Sequence, residues 1–367
     1  MRSARSCVVT CAAALLAGCA TGRIDPRYHA QIRADLPEAA AGVVQVRFLG
    51  VQGFVIRRDA DVVVTAPLFT NPPLGTVLAD GGIWPDTNLV TKLLPAEWVA
   101  DAAAILVGHS HYDHLLDVPF IARQMAPRAK VFGSLTTQRL MAAIGTDPSF
   151  YVAPDRVVAV NDEAQPGGDP VDYRECPRKP KEACVWGTGH GRWLHVTTNV
   201  RIRVLCSRHS PQFLRFPPTW QGCNAPDQGP PRKPSQWPIG DTLAYLIDFM
   251  DGGRPVFRVY YQDSPTDREY GHVAQELIDE KAVDLALLNA GGFNQVDDFP
   301  ESIIANTRPR YVLFGHWEDF LRTQERPLRP LWMYDYAELA DRTAGLGPHF
   351  WFPTPGQLFV FRVGTAR

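Results

Sequence analysis

The chain has 367 residues, 45% of them hydrophobic and 21% charged, which is enough apolar material for a sizeable core and excludes a disordered chain. Its formal net charge of −2 lacks the basic footprint of a nucleic-acid-binding protein. With 29 glycines and 32 prolines, about one residue in six, the chain is too heavily punctuated for a helix bundle and reads as strand-rich or mixed α/β.

Residues 1–18 have the pattern of a secretory signal. Arg2 and Arg5 precede an apolar run over 7–17 broken only by Thr10, too short to cross a bilayer of about 30 Å. Leu16-Ala17-Gly18-Cys19 resembles the bacterial lipobox. That implies a lipid on Cys19, a polar tether over 19–42, and a body anchored at the cell envelope facing the periplasm, with the outer membrane as the expected location. Of the seven cysteines, Cys176, Cys184, Cys206 and Cys223 then remain. An even number in an oxidising compartment permits two disulfides. Short loops favour Cys176–Cys184 and Cys206–Cys223, with four free thiols as the alternative.

Short β-branched runs over 43–49, 54–57 and 62–64 predict an antiparallel meander. Helical spacing follows over 94–103, and a buried strand over 104–107. Asp117 is placed to cap a helix running through 125, and residues 135–144 form another amphipathic helix. Strands are predicted at 130–132 and 156–160. Residues 161–191 read as a polar insertion, and 211–240, with eight prolines, as a second irregular one. Further strands are predicted at 193–197, 200–206, 242–249, 255–262, 284–289, 311–314 and 357–362, with helices near 272–280, 301–306 and 334–343. No internal repeat is visible. Two sheets covered by helices follow from this order.

One segment outweighs the rest. The run from Ala104 to Val107 leads into His109, His111, Asp113 and His114, four side chains of the kind that hold zinc and similar divalent metals. With 10 His in 367 residues, three at fixed positions arise by chance about 2 × 10⁻⁵ times per site, so the motif is specific. The same grammar recurs three times: apolar runs ending near residues 206, 261 and 315 are followed by His209, Asp263 and His316.

His109-Ser-His111-Tyr-Asp113-His114, followed by His209, Asp263 and His316, resembles the metallo-β-lactamase superfamily. Gly315-His316-Trp317, with Phe320, Glu325, Leu328 and Pro330 downstream, is similar to its N-acylphosphatidylethanolamine phospholipase D and UlaG-like branch. The resemblance covers about residues 43–362. It implies a single αββα sandwich domain over 43–367 interrupted by the two insertions. It also implies two divalent metals, zinc first and manganese or iron as alternatives, with His109, His111 and His209 at one site, Asp113, His114 and His316 at the other, and Asp263 bridging. A bridging carboxylate suits two dications about 3.5–4 Å apart, and water held between them ionises near neutral pH to become the nucleophile, which Asp113 would orient as the catalytic residue.

Two departures stand out. The branch opens with a GHA(T/S) turn and a TDP segment, where this chain has Gly50-Val-Gln-Gly53 and Thr65-Ala66-Pro67. After His316 come Trp317-Glu318-Asp319-Phe320, two acids in place of Gly-Thr, which would repel a phosphate if they face the pocket. Asp263 stands where true lactamases carry Cys or His, which argues against β-lactam hydrolysis. The expected reaction is hydrolysis of an ester-type bond, a phosphodiester first, in a small-molecule or lipid substrate, with a lactone or thioester as runner-up. A metal-stabilised envelope binding protein is the alternative of another class. His272 and His349 read as structural, and Asn289-Ala-Gly-Gly292 as a tight turn. Trp220 and Trp237 fit either an apolar lip over the site or a loop packed on the body.

Overall fold

The computed structural model describes residue 24 and residues 42–160, 192–211, 220, 222 and 229–364. The signal, Cys19, nearly all of the tether, the insertion at 161–191, and Cys176, Cys184 and Cys223 lie outside the described residues. Cys206 is disulfide-bonded, to a partner outside them. Among the described residues no helix is long and apolar enough to cross a membrane.

The meander forms as predicted. β1 (Val43–Gly50), β2 (Gly53–Arg58) and β3 (Asp61–Thr65) pair antiparallel. The chain then crosses over to β4 (Ala102–Leu106), β5 (Lys130–Gly133) and β6 (Val157–Ala159), each parallel to the one before. β14 (Leu358–Arg362) closes the other edge against β1, giving a seven-stranded sheet.

The second sheet also has seven strands. β7 (Leu194–His195), β8 (Val200–Cys206), β9 (Leu243–Asp251) and β10 (Arg254–Gln262) run antiparallel in turn. β11 (Leu285–Asn289), β12 (Tyr311–Gly315) and β13 (His349–Trp351) continue parallel to β10. Because β8 and β10 both oppose β9, they point the same way, and β12 follows β10. All three therefore end at one edge of the sheet.

Alternating side chains of both sheets meet in an apolar layer that includes Val46, Phe54, Tyr245, Phe257 and Tyr261. On the outer faces, one core lies between the first sheet and its helices and another between the second sheet and its helices. The order helix, sheet, sheet, helix is the αββα sandwich expected.

Three local expectations are corrected. Residues 94–103 are not one helix. Helix Thr87–Leu93 is capped by the Asp86 carboxylate, Pro95 starts a separate short helix, Ala96–Val99, and β4 already begins at Ala102. Asp117 makes no side-chain cap for Val118–Phe120. Its Oδ2 instead accepts from Phe69 N at 2.7 Å and Thr70 N at 2.8 Å, pinning the crossover after β3. Helix Leu74–Leu78 and β13 were not predicted, the first because its five residues are too few to show a period.

Candidate metal centre

Each candidate ligand leaves the C-terminal end of a strand. β4 is followed by Val107, Gly108 and His109, then His111, and Asp113 and His114 sit on the one-turn helix Tyr112–Leu115. From the other sheet, β8 delivers His209, β10 delivers Asp263 and β12 delivers His316. His109, His111, His114, Asp263 and His316 are buried, whereas Asp113 and His209 are partly exposed.

The donor atoms of His109, His111 and His209 lie within 4.8 Å of one another, as do those of His109, Asp113 and His114. Asp263 and His316 stand beside these groups. Asp263 Oδ1 is 2.9 Å from His109 Nδ1, and its Oδ2 accepts from His109 N at 3.1 Å and lies 3.6 Å from His114 Nδ1. It therefore touches one member of each expected ligand trio. His316 Nε2 is 3.4 Å from Asp113 Oδ2, and the His316 and His114 rings are 5.3 Å apart. All seven side chains predicted from sequence converge on one spot.

Burial, reinforced by repulsion between neighbouring rings, holds His109 and His114 well below the ordinary imidazole range and brings His209 down to about 4. At neutral pH these rings are neutral, the form that offers a lone pair. Burial also pushes the Asp263 carboxyl up. It acts upward on Asp113 too, but His114, His316 and His111 outweigh it and keep that carboxyl well below the carboxylate range. His209 Nδ1 donates to Ser210 O at 2.6 Å, which turns Nε2 toward the cluster. His109 Nε2 and His114 Nδ1 are buried with no hydrogen-bond partner. Leaving such nitrogens unsatisfied is costly, and a cation would satisfy them. Neutral imidazoles, one buried and one partly exposed carboxylate, and orphaned ring nitrogens fit divalent metals of the zinc type.

A cavity of about 390 Å³ opens over the cluster, with Asp113, His114, His209 and His316 in its lining. Much of its wall is apolar: Leu74, Val77 and Leu78 on one helix, with Leu321, Leu331 and Met333. Among the described lining residues there is no Lys or Arg. Phe320 stands edge-on to His316 at 4.5 Å.

The two acids after His316 do not face this cavity. Asp319 is held by Arg329 at 2.6 Å, and Glu318 is buried with its Oε1 accepting from Val51 N. Burial pushes the Glu318 carboxyl up to about 7. At the missing GHA position, Gln52 is buried and donates from Nε2 to Gln262 O at 2.9 Å, beside Asp263. In place of TDP, Thr65 Oγ1 donates to Gln52 O at 2.7 Å.

Trp220 lines the cavity and meets His111 edge-on at 6.0 Å, whereas Trp237 is fully buried in the first sheet's outer core. The lip reading thus fits one tryptophan and the packing reading the other. Asn289 does more than make a turn. Its Oδ1 accepts from Gly291 N at 2.6 Å, while its Nδ2 donates to Asp263 O at 2.5 Å, fixing that residue's backbone. The signal was available, since Asn289 ends the strand lying between those that deliver Asp263 and His316. His349, in β13, stacks on Tyr311 of β12, away from the site, and His272 is not among the cavity's lining residues.

No family model matches the chain, and no curated protein matches it. Solved structures do. Igni18, described as a novel metallo hydrolase from Ignicoccus hospitalis, is 20% identical with a TM-score of 0.44, covering 87% of this chain and 99% of that one. The metallo-β-lactamase fold protein YhfI from Bacillus subtilis is 11% identical, TM-score 0.44, covering 87% and 100%. An isothiocyanate hydrolase from Delia radicum gut bacteria is 11% identical, TM-score 0.46, covering 87% and 99%.

Proposed function

We propose that this protein is a binuclear metal-dependent hydrolase of an ester-type bond, a phosphodiester first, in a substrate with an apolar substituent. The carrying observation is the pair of overlapping donor groups within 4.8 Å, centred on His109. In this reading His109, His111 and His209 hold one divalent ion, zinc first, and Asp113, His114 and His316 hold the other, with Asp263 between them. Two bound dications would stabilise negative charge on the substrate and lower the pKa of water. The chain's own residues do the rest. Asp113, held ionised, can accept a hydrogen bond from the attacking water and orient it, and Asn289 keeps Asp263 in place through its carbonyl. Leu74, Val77, Leu321 and Leu331 give the cavity an apolar wall.

One objection to phosphodiester cleavage is removed, since Glu318 and Asp319 turn to Val51 N and Arg329 away from the cavity, and Asp80, the acid in the wall outside the cluster, is taken up by Ser235. One observation favours the second reading, a lactone: no Lys or Arg lines the described cavity to meet a second anionic group. With a lipid on Cys19, the centre would work beside a membrane of the cell envelope.

Elemental analysis of the purified chain should find two divalent ions. Bis(4-nitrophenyl) phosphate and an acyl lactone, assayed side by side, should show metal-dependent cleavage of the diester that His111→Ala abolishes. Lactone opening without diester cleavage would select the second reading. Metal binding with no turnover of either would select a binding protein.

A further inference from the structure

We propose that Glu318 is a positioning residue, which sets the second metal site by locking the backbone of His316 through Val51. This rests on the two-metal reading above.

Three observations carry it. His316 and Val51 are both non-glycine residues with positive φ, 56° and 52°, a conformation unfavourable for any side chain and most so for a β-branched one. The two are hydrogen-bonded, with His316 N donating to Val51 O. Glu318 closes the loop, its buried carboxylate accepting from Val51 N. The turn after β1 thus uses both main-chain groups of one residue to hold the segment after β12. The fit is close. A Cβ on Gly315 would fall 2.7 Å from Val51 O and 2.2 Å from Gln52 Oε1, so only glycine lets the turn approach.

Without the Glu318 carboxylate, a buried N–H on a residue already in an unfavourable conformation loses its acceptor. Val51 then relaxes toward an ordinary φ and its carbonyl leaves His316 N. His316 is in the expected Asp113–His114–His316 trio, while His109, His111 and His209 are carried by other segments. The loss therefore falls on one metal. Glu318 does not line the cavity, so it acts through His316 and not on substrate.

The test is metal affinity, read by chelator competition on the full chain with zinc as the probe. Glu318→Ala should weaken the second zinc about 10–100-fold, the range for residues that orient a ligand, and leave the first within about threefold. Glu318→Gln, which keeps an oxygen to accept from Val51 N, should restore most of the loss. The decisive variant is Glu318→Ala combined with Val51→Gly. Glycine adopts positive φ unaided, so the carboxylate should matter several-fold less in that background. If Glu318→Ala alone folds poorly, the Val51→Gly and Glu318→Gln chains carry the comparison. Wild-type affinity for both zincs in Glu318→Ala overturns the proposal. So does equal weakening of both, or the same loss in the Val51→Gly background. A wild-type chain that binds no zinc refutes the hydrolase reading and this proposal with it. Two zincs in wild type with an unaffected Glu318→Ala refute this proposal alone.

Discussion

Gly108, between β4 and His109, offers a sharp perturbation of the centre. A methyl group there would sit 2.3 Å from Cγ and from both carboxylate oxygens of Asp263. Contacts of that kind are essentially never below 3.0 Å, so the carboxylate must withdraw by about 0.7 Å to admit alanine. It has nowhere to go, because Asp263 is fully buried, hydrogen-bonded to His109 through N and Nδ1, and held by Asn289 at its carbonyl. Overpacking of this size costs about 1–3 kcal/mol, less than the stability of a typical domain at about 5–15 kcal/mol, so Gly108→Ala should still fold. Metal–ligand distances tolerate only about 0.2 Å, and a misplacement of about 1 Å costs on the order of 100-fold in rate. Metal content and kcat/KM toward bis(4-nitrophenyl) phosphate should therefore fall together, by at least one ion and about 100-fold, with the circular dichroism unchanged. Gly82→Ala, whose added methyl meets nothing within 4 Å, is the control. A Gly108→Ala chain with two metals and activity within about threefold of wild type would show that the carboxylate is not locked, and the reasoning would fail.

Two further outcomes follow from the same packing. Burial pushes the Asp117 carboxyl up to about 6, above the unfolded value near 3.9, so its ionisation opposes folding. The stability of metal-free protein should fall by about 2 kcal/mol from this group as pH rises from 4 to 6, and Asp117→Asn should flatten Tm over that window. An unchanged slope would assign the effect elsewhere. Leu78, 74% exposed and on the cavity wall, should bind the substrate's apolar substituent. kcat/KM should then rise up to about fourfold per added methylene in an alkyl series, and Leu78→Asp should remove that dependence. A flat wild-type series would rule out this wall as the binding surface.

The candidate site was legible because its residues sit where strands end, and strands announce themselves by composition. The runs before His109, His209, Asp263 and His316 are apolar, with β-branched residues in each and aromatics in the last two, and all four became strands. Where tertiary packing decides, the sequence was silent. Asp117 has the chemistry of a helix cap, yet it serves a backbone turn distant in sequence, at Phe69 and Thr70. No local pattern marks that choice. The Leu74–Leu78 helix buries none of its residues, so the amphipathic signal that reveals most helices is absent. The segments 50–53 and 318–319, where the chain departs from the pattern it resembles, lie far apart in sequence. In space they interlock, since the Glu318 carboxylate occupies the Val51 N–H of the altered turn.

The division of the proposed ligands between the sheets makes the space between them a determinant of the proposed chemistry. The first sheet contributes His109, His111, Asp113 and His114, all within six residues, so their spacing is set locally. The second contributes His209, Asp263 and His316, one from each of three strands, and these meet the first set only if the two sheets keep their register. Much of that register comes from apolar contact, which is non-directional. Polar ties sharpen it, and they fall next to the ligands. Tyr245 in β9 donates from its hydroxyl to Val107 O at 2.9 Å, Leu243 N donates to Gly108 O at 2.7 Å, and Ser110 N donates to Ile239 O at 2.9 Å. All three grip residues 107–110, the stretch carrying His109. Two of the three come from β9, so the second sheet holds the backbone beside His109 directly, and the distance from His109 to Asp263 is fixed by hydrogen bonds and not only by the thickness of an apolar layer.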